Sequence, residues 1–150
     1  MKSRTRARSL ALQVLYEIDL ANHPPAEVLQ ARLEETPLGD DLAEFARRIV
    51  FGCLPLLDLL DHVIAKYTPE WPFDQIAVID RNILRMACWE FAVSGETPIK
   101  VVINEAVELA KTYGSDSAPR FVNGVLGSLA DHQHEITQTL SARNSATGAR

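Results

Sequence analysis

Residues 97–114 read TPIKVVINEAVELAKTYG, and their pattern decides the fold class. Apolar side chains recur in this stretch at three- and four-residue steps, the spacing that places them on one face of an α-helix. Thr97 and Pro98 have the form of an N-cap and a first-turn proline, and Gly114 has the form of a C-terminal stop. The same spacing continues along the rest of the chain, which has no β alternation of useful length. The sequence therefore predicts an all-α protein.

Short connections separate about seven predicted helices. The first helix is expected over about residues 5–21, and the pair Pro24-Pro25 prevents its continuation because proline cannot extend the hydrogen-bond ladder. Asp41 and Glu44 have the spacing of a capping box, which predicts the start of a later helix.

The connection TPEWP at residues 68–72 contains two prolines and is rigid. It is the predicted boundary between two packed helical halves, about 1–68 and 73–140. Together the halves are expected to form one domain, 1–140. The last residues, 141–150, are small and polar and are predicted to form a disordered tail.

The composition indicates a cytoplasmic protein without a membrane span. Of its 150 residues, 47% are apolar and 23% are charged, which is typical of soluble globular proteins. No apolar run approaches the roughly 18 residues that a membrane span needs. The basic N-terminus is followed by a stretch that Gln13, Glu17 and Asp19 interrupt, unlike a signal peptide. Cys53 and Cys88 lie far apart in apolar stretches, so we expect buried free thiols.

The chain is acidic overall, but its first eight residues are basic, and we call them the basic tip. The formal net charge is −5, yet no acidic residue precedes Glu17, and four of the first eight residues are basic: Lys2, Arg4, Arg6 and Arg8. Such a cluster indicates a local anionic partner rather than diffuse attraction. Guanidinium groups match phosphate oxygens, so we interpret the tip as a candidate for RNA binding. A solvated N-terminus is the alternative.

Arg4 and Arg8 lie one helical turn apart, on the same line as Ala11, Leu15 and Ile18. That line should be buried farther along the helix, and burying an unpaired guanidinium group is very costly. We therefore expect this end of the helix either to project beyond the core or to meet a counter-charge. The RNA-binding mechanism would be lost if Arg4 and Arg8 were both sealed inside the protein against its own carboxylates.

The segment SDSAPRFVNGVLG, residues 115–127, is a second candidate for RNA binding. Arg120 beside Phe121 pairs a cation with an aromatic ring, and such a pair can hold a phosphate and stack an unpaired base. Alternatively, Phe121 fills a gap in the core. Gly124 and Gly127 fall inside a predicted helix, where each costs about 1 kcal/mol relative to alanine. Close approach by another backbone or by a partner would explain them.

The sequence favours neither an enzyme nor a metal or cofactor site. Asp58, Asp61 and His62 can share a helix face, but a solvated polar face explains them better. Glu105 and Glu108 are more typical of a ladder of surface ion pairs than of an acid–base couple. The chain has no phosphate-binding glycine loop, no nucleophile elbow and no cysteine zinc motif.

Three stretches together resemble the NusB family. The C-terminal signature is carried by VVINEAVELAK at 101–111 and RFVNGVL at 120–126. The start, from Arg4 to ALQVLY at 11–16, is similar to the family's arginine-rich first helix, and ILRMA at 83–87 is similar to its central helix. The resemblance covers nearly the whole chain in the same order.

This resemblance implies a NusB-like bundle and a role in transcription antitermination, typically at ribosomal RNA operons. Proteins of the family bind boxA RNA of the nascent transcript together with NusE, a small-subunit ribosomal protein, in the RNA polymerase antitermination complex. Some members form a homodimer that masks the arginine tip. The implied RNA contacts are Lys2, Arg4, Arg6, Arg8, Arg120 and Phe121. The implied contacts to the basic NusE subunit are Tyr16, Asp74 and Asp80, although surface solubility also explains the two aspartates.

Three positions depart from the family pattern. Thr5 interrupts the arginine run, Asp116 stands one position earlier than expected, and Pro119 stiffens the approach to Arg120. Two other functions stay open: a helical accessory domain related to that of RNA cytosine methyltransferases, and a helical adaptor that binds protein only. The first would need a catalytic domain downstream, and the second predicts no salt-dependent RNA binding.

Overall fold

The computed structural model describes residues 2–148, with side chains described through residue 142. Over this part of the chain it consists of eight α-helices and has no β-strand. The helices are α1 (Ser3–Ala21), α2 (Pro25–Glu35), α3 (Asp40–Cys53), α4 (Leu57–Lys66), α5 (Val78–Trp89), α6 (Ile99–Tyr113), α7 (Ala118–Asp131) and α8 (Gln133–Gly148). The prediction of an all-α fold is confirmed, with one helix more than the seven expected.

Helix α5 lies at the centre of the bundle. All residues from Asn82 to Trp89 are buried, so this helix has neighbours on every side. It packs against α1, α3 and α4, which precede it in the chain, and against α6 and α7, which follow it. A π-helical turn, Glu90–Ser94, extends it and packs against α8. One cluster of buried apolar side chains consequently includes residues from all eight helices. Within residues 2–148, no helix is long and apolar enough to cross a membrane.

A partly buried polar network connects α5 to its neighbours. Arg85 donates from Nε to Asp61 Oδ1 at 2.6 Å and from Nη1 to Asp19 Oδ2 at 3.0 Å. The guanidinium group of Arg81 also reaches Asp19, at 2.9 Å. These contacts join α1, α4 and α5, and they give Asp61 a structural partner. Cys53 and Cys88 are buried free thiols, as predicted.

The C-terminal helix differs from the expected tail. Ile136 and Leu140 of α8 are buried, and Ser141 Oγ donates to the carbonyl oxygen of Ala92 at 3.4 Å. The helical backbone continues to Gly148, so residues 141–148 are helix here. Polar composition suggested a tail, but residues 141–147 contain neither proline nor glycine to stop a helix that is already formed. Residues 149–150 of the expected tail lie outside the described part of the chain.

Candidate nucleic-acid interface

The basic tip projects from the start of α1. Lys2, Arg4 and Arg6 are exposed, and Lys2 occupies the N-cap position. Arg4 lies over the ring of Phe45, with 4.4 Å from Cζ to the ring centroid. This cation–π contact orients the side chain and leaves its N–H donors to the solvent. A hollow of about 480 Å³ opens beside Lys2 and Arg4, with Val101 of α6 on its other wall.

Arg8 does not project with the rest of the tip, and this part of the prediction is wrong. Only 4% of the residue is exposed. Its Nε donates to Glu90 Oε1 at 2.9 Å, its Nη2 to Glu90 Oε2 at 2.5 Å, and its Nη1 to Glu105 Oε1 at 2.8 Å. Burial disfavours the charged form, but the hydrogen bonds and charge of Glu90 outweigh it and raise the pKa of Arg8. The physical reason is that the chain supplies two carboxylates, so the guanidinium group can be buried.

Thr5 also has a role within the chain. Its hydroxyl donates to Glu105 Oε1 at 2.7 Å, the oxygen that Arg8 contacts. Farther along α1, Ser9 and Gln13 hydrogen-bond the hydroxyl of Tyr113. The contacts therefore advance in the same direction on both helices, which makes α1 and α6 parallel neighbours. Thr5 interrupts the arginine run of the family pattern, and in place of a positive charge it contributes a hydrogen bond that helps to hold Glu105.

Arg120 and Phe121 lie in the first turn of α7. Arg120 is exposed, and Phe121 is half-buried against the core with the rest of its ring accessible. Pro119 stands at the first turn of the helix, where the missing N–H needs no partner. Pro119 is therefore compatible with the start of α7, and Arg120 and Phe121 keep a helical backbone. Phe121 fills part of a core gap and still presents a surface.

Two hollows flank these residues, and they share Trp71, Arg120 and Phe121 as walls. The first has a volume of about 410 Å³ and is also lined by Ile76 and Asp80. The second has a volume of about 420 Å³. Trp71 is 53% exposed, which is unusual for so large an apolar side chain. In sequence Trp71 is part of a rigid connection, and a tryptophan between two prolines in a polar segment is the signal that could have marked it as an exposed aromatic residue.

Asp80 forms part of the floor of the first hollow and is not a surface acid. The residue is 7% exposed, and its Oδ1 is buried without a hydrogen-bond partner among the described residues. Burial raises the pKa of this carboxyl. Gly114 lies directly against it, since a Cβ built on that glycine would be 3.3 Å from Asp80 Oδ1. The interpretation of Asp80 as a freely exposed contact therefore needs correction.

The other two residues implied in contact with NusE are accessible. Tyr16 of α1 is half-buried, and Asp74, in the 3-10 turn Phe73–Gln75, is exposed. Leu20 lies one helical turn after Tyr16 and is 57% exposed. Sequence reasoning overlooked Leu20, because it continues the apolar pattern of a helix that is otherwise buried.

Gly124 and Gly127 do not mark a close approach within the described chain. A Cβ built on either glycine would meet no described atom within 4 Å. Gly124 is exposed and lines the second hollow, whereas Gly127 is not among the residues that line it. The expectation of a neighbouring backbone is thus wrong, and the space beside Gly124 is open to solvent.

The basic tip and the two hollows lie toward opposite ends of α6. The tip is beside Val101 near the start of that helix, and the first hollow is beside Gly114 and Ser115 just past its end. The thirteen helical residues from Val101 to Tyr113 span about 20 Å. A short stretch of single-stranded RNA can cover such a distance.

Comparison with known proteins identifies the family of this chain. Residues 5–131 match the family model described as the NusB family. The chain belongs to the NusB family. It is 47% identical over 134 residues to the transcription antitermination protein NusB of Roseiflexus castenholzii, covering 88% of this chain and 94% of that protein. It is 48% identical over 128 residues to the transcription antitermination protein NusB of Dehalococcoides mccartyi, covering 85% and 90%.

Solved NusB structures share the fold. The structure of T. maritima NusB matches with a TM-score of 0.80 at 33% identity, covering 87% of this chain and 92% of that one. A crystal structure of the antitermination factors NusB and NusE in complex with dsRNA matches with a TM-score of 0.81 at 29% identity, covering 88% and 98%. The bundle described above is therefore the NusB fold over nearly the full length of its relatives.

Proposed function

We propose that this protein is a transcription antitermination factor that binds boxA-type RNA of nascent ribosomal RNA transcripts together with NusE. In this role it joins the RNA polymerase antitermination complex. The observation that carries the proposal is the exposed pair Arg4 and Arg6, which project from the end of a helix in a NusB-family protein of net charge −5. Because the rest of the protein is acidic, an anionic chain such as RNA is attracted only where the positive charge is concentrated.

The proposed RNA contacts are Lys2, Arg4 and Arg6 at the tip, and Arg120 and Phe121 on α7. The arginines and the lysine neutralise phosphates, and the accessible part of the Phe121 ring stacks an unpaired base. Arg8 acts behind this surface, because its guanidinium group is already used by Glu90 and Glu105. It holds the tip in place without touching the RNA.

The proposed contact surface for NusE comprises Tyr16, Leu20 and Asp74. An aromatic ring and an exposed leucine give apolar area, and the carboxylate suits a basic subunit. Asp80 lies behind the surface, so a partner would have to enter the first hollow to reach it. A homodimer that covered the basic tip would compete with RNA for Arg4 and Arg6.

The decisive experiment is titration of the purified protein, with and without NusE, against boxA RNA and a scrambled control of equal length. We expect tighter binding of boxA RNA, a further gain when NusE is present, and an affinity that falls with salt. Salt-independent or absent binding to both RNAs would favour the protein-only adaptor. Sedimentation of the free protein at the same concentrations shows whether a dimer competes.

A further inference from the structure

The hollow of about 480 Å³ beside the basic tip is lined by charged and polar side chains from two parts of the chain. We call it the N-terminal hollow. One wall carries Lys2 and Arg4, and the wall that α6 forms carries Val101, Asn104 and Glu108. The proposed function uses the two cations, whereas the residues of α6 face the same hollow and have no part in it.

One end of the N-terminal hollow is positively charged. Lys2 and Arg4 form no ion pair with any described residue, while Glu96 is already paired with Arg48 at 3.0 Å. Hydrogen bonds from Arg48, with a smaller contribution from the charge of Arg4, lower the pKa of Glu96, which places Arg4 near the start of α6. Pro98 holds the N-cap position there, so no side chain caps the first N–H groups of the helix. This end therefore suits a phosphate.

The other end of the hollow is rich in hydrogen-bond acceptors. Asn104 is exposed, and its side-chain amide forms no hydrogen bond within the described chain. Glu105 and Glu108 follow on the same helix and also line the hollow. Lys111 pairs with Glu108 at 3.1 Å, but that carboxylate stays exposed and can accept further hydrogen bonds. Val101 is 44% exposed and adds an apolar surface. This end therefore suits a flat ring that carries N–H donors.

We propose that the N-terminal hollow binds one unpaired nucleotide of the RNA, whose phosphate contacts Arg4 and whose base is read by the side-chain amide of Asn104. The inference rests on the proposed function and adds base specificity to the basic tip, whose cations contact only phosphates. From Ile99 to Asn104 the helix rises about 8 Å, comparable to the reach from the phosphate to the base edge of one nucleotide. The volume of the hollow lies within the range of small-ligand sites.

The acceptors favour a base that carries an exocyclic amino group over uracil, which carries none. In cytosine the amino group lies next to a ring nitrogen, so Asn104 accepts from the first through Oδ1 and donates to the second through Nδ2. The second hydrogen of the amino group can then reach the carboxylate of Glu108. In uracil a carbonyl oxygen replaces the amino group, and Glu108 repels that oxygen even if the amide turns over to pair with the base.

A nucleotide fits both ends of the hollow better than a protein side chain does. An acidic side chain would suit Lys2 and Arg4 but would meet like charges at Glu105 and Glu108. A basic side chain would be repelled at the opposite end. A nucleotide carries its charge on the phosphate and its N–H donors on the base, so one molecule matches both ends.

The test measures binding of short boxA-type RNAs in which cytosine and uracil are exchanged at each position in turn. The two pyrimidines have the same size, so the exchange changes only the groups on the edge of the base. For the unmodified protein we expect cytosine to bind at least about 5-fold more tightly than uracil at one position. Replacing adenine by purine, which lacks the amino group, should weaken binding similarly there. Asn104→Ala should remove most of both differences.

Two further variants control this outcome. Gln30→Ala removes an exposed amide from α2 and should leave the preference for cytosine unchanged. Glu108→Gln removes a negative charge, so it should raise the affinity for every RNA and narrow the difference between cytosine and uracil. Circular dichroism checks that all three variants fold.

The proposal fails if no position distinguishes cytosine from uracil, or if Asn104→Ala keeps the distinction. It also fails if Asn104→Ala impairs binding of NusE while the base preference is unchanged, because a protein group would then occupy the hollow.

These results separate the subsite from the proposed function. If boxA RNA binds better than its scrambled control but every position tolerates the exchange of cytosine and uracil, only the subsite is lost. If boxA RNA and the scrambled control bind equally, the proposed function itself is lost.

Discussion

The guanidinium group of Arg8 and the carboxylate of Glu90 form a two-pronged ion pair inside the bundle, although Arg8 belongs to the basic tip in sequence. The two contacts measure 2.9 and 2.5 Å, and the residues are 4% and 3% exposed. Because Glu105 of α6 takes the remaining prong, one side chain of α1 connects the end of α5 with α6. The basic residues of the N-terminus therefore have two separate roles: Arg8 stabilises the bundle, and the exposed Arg4 and Arg6 remain available to a partner.

Arg8→Ala should lower the free energy of unfolding by about 3–5 kcal/mol, because it leaves the buried carboxylate of Glu90 without a partner. Urea unfolding followed by circular dichroism measures the change. Arg4→Ala is the matched control and should cost about 1 kcal/mol or less, since it loses only an exposed cation–π contact. A stable Arg8→Ala variant with weakened RNA binding would place Arg8 at the RNA surface instead.

Arg4→Ala combined with Arg6→Ala should weaken RNA binding and leave the melting temperature nearly unchanged. Each lost phosphate contact on a single strand lowers the slope of log affinity against log salt by about 0.7, so the pair lowers it by about 1.4. Arg47→Ala, an exposed arginine of α3, should leave the slope as it is. An unaltered slope in the double variant would exclude these two side chains as phosphate contacts.

Asp80→Asn should stabilise the protein at neutral pH. Burial raises the pKa of Asp80 above that of an unfolded aspartate, so its favourable contribution is complete at low pH and is lost as the pH rises through the folded pKa. The gain from the substitution should therefore be largest near about pH 7.5 and vanish toward about pH 3.5. Thermal melts of both proteins across this range measure it. A gain that grows toward acid would contradict a raised pKa.

Gly52→Ala should destabilise the fold, because α3 crosses α5 closely at this residue. A Cβ on Gly52 would lie 2.5 Å from Cζ2 and Nε1 of Trp89, whose bulky ring is buried and cannot move away freely. Overpacking of this kind costs about 1–3 kcal/mol. The double variant Gly52→Ala with Trp89→Leu should recover part of the loss in a denaturant titration. Equal stability of Gly52→Ala and the unmodified protein would contradict this close packing.

Gly127→Ala and Gly124→Ala should each add about 1 kcal/mol to the free energy of unfolding, since both lie within α7 with open space around them. They should differ in RNA binding. The new methyl group at Gly124 enters the second hollow beside Phe121 and should weaken binding, whereas Gly127 lies outside its lining. Parallel melts and RNA titrations separate the two effects. Equal affinities would show that the second hollow stays empty of RNA.

Much of the fold was predictable because helix signals are local. For α6 the expected start differs by one residue from the observed Ile99, and the stop at Gly114 agrees with the observed end at Tyr113. The tail after residue 140 was not predictable, since polar composition does not say whether a helix already under way will stop. Local patterns specify where helices lie and say little about what they meet.

The candidate site shows this limit more sharply. Exposure of Arg4 and Arg6 follows from their place at the end of a helix, but burial of Arg8 depends on Glu90 and Glu105, more than 80 residues away. The burial of Asp80 likewise depends on Gly114 and on the connection after α6. Such long-range pairings carry no signature in a single sequence, although the alternative of a counter-charge for the arginines was derived from it.

The parallel course of α1 and α6 has a consequence for how tightly a strand is held. Beside α1, helix α6 runs for about 20 Å between the end near the N-terminal cations and the end near the aromatic hollows. One RNA that touches both places binds as a bivalent ligand, so the second contact forms at a high effective concentration once the first exists. If the RNA is cut between these two places, each piece keeps its own contacts, but the gain in affinity from binding both at once is lost.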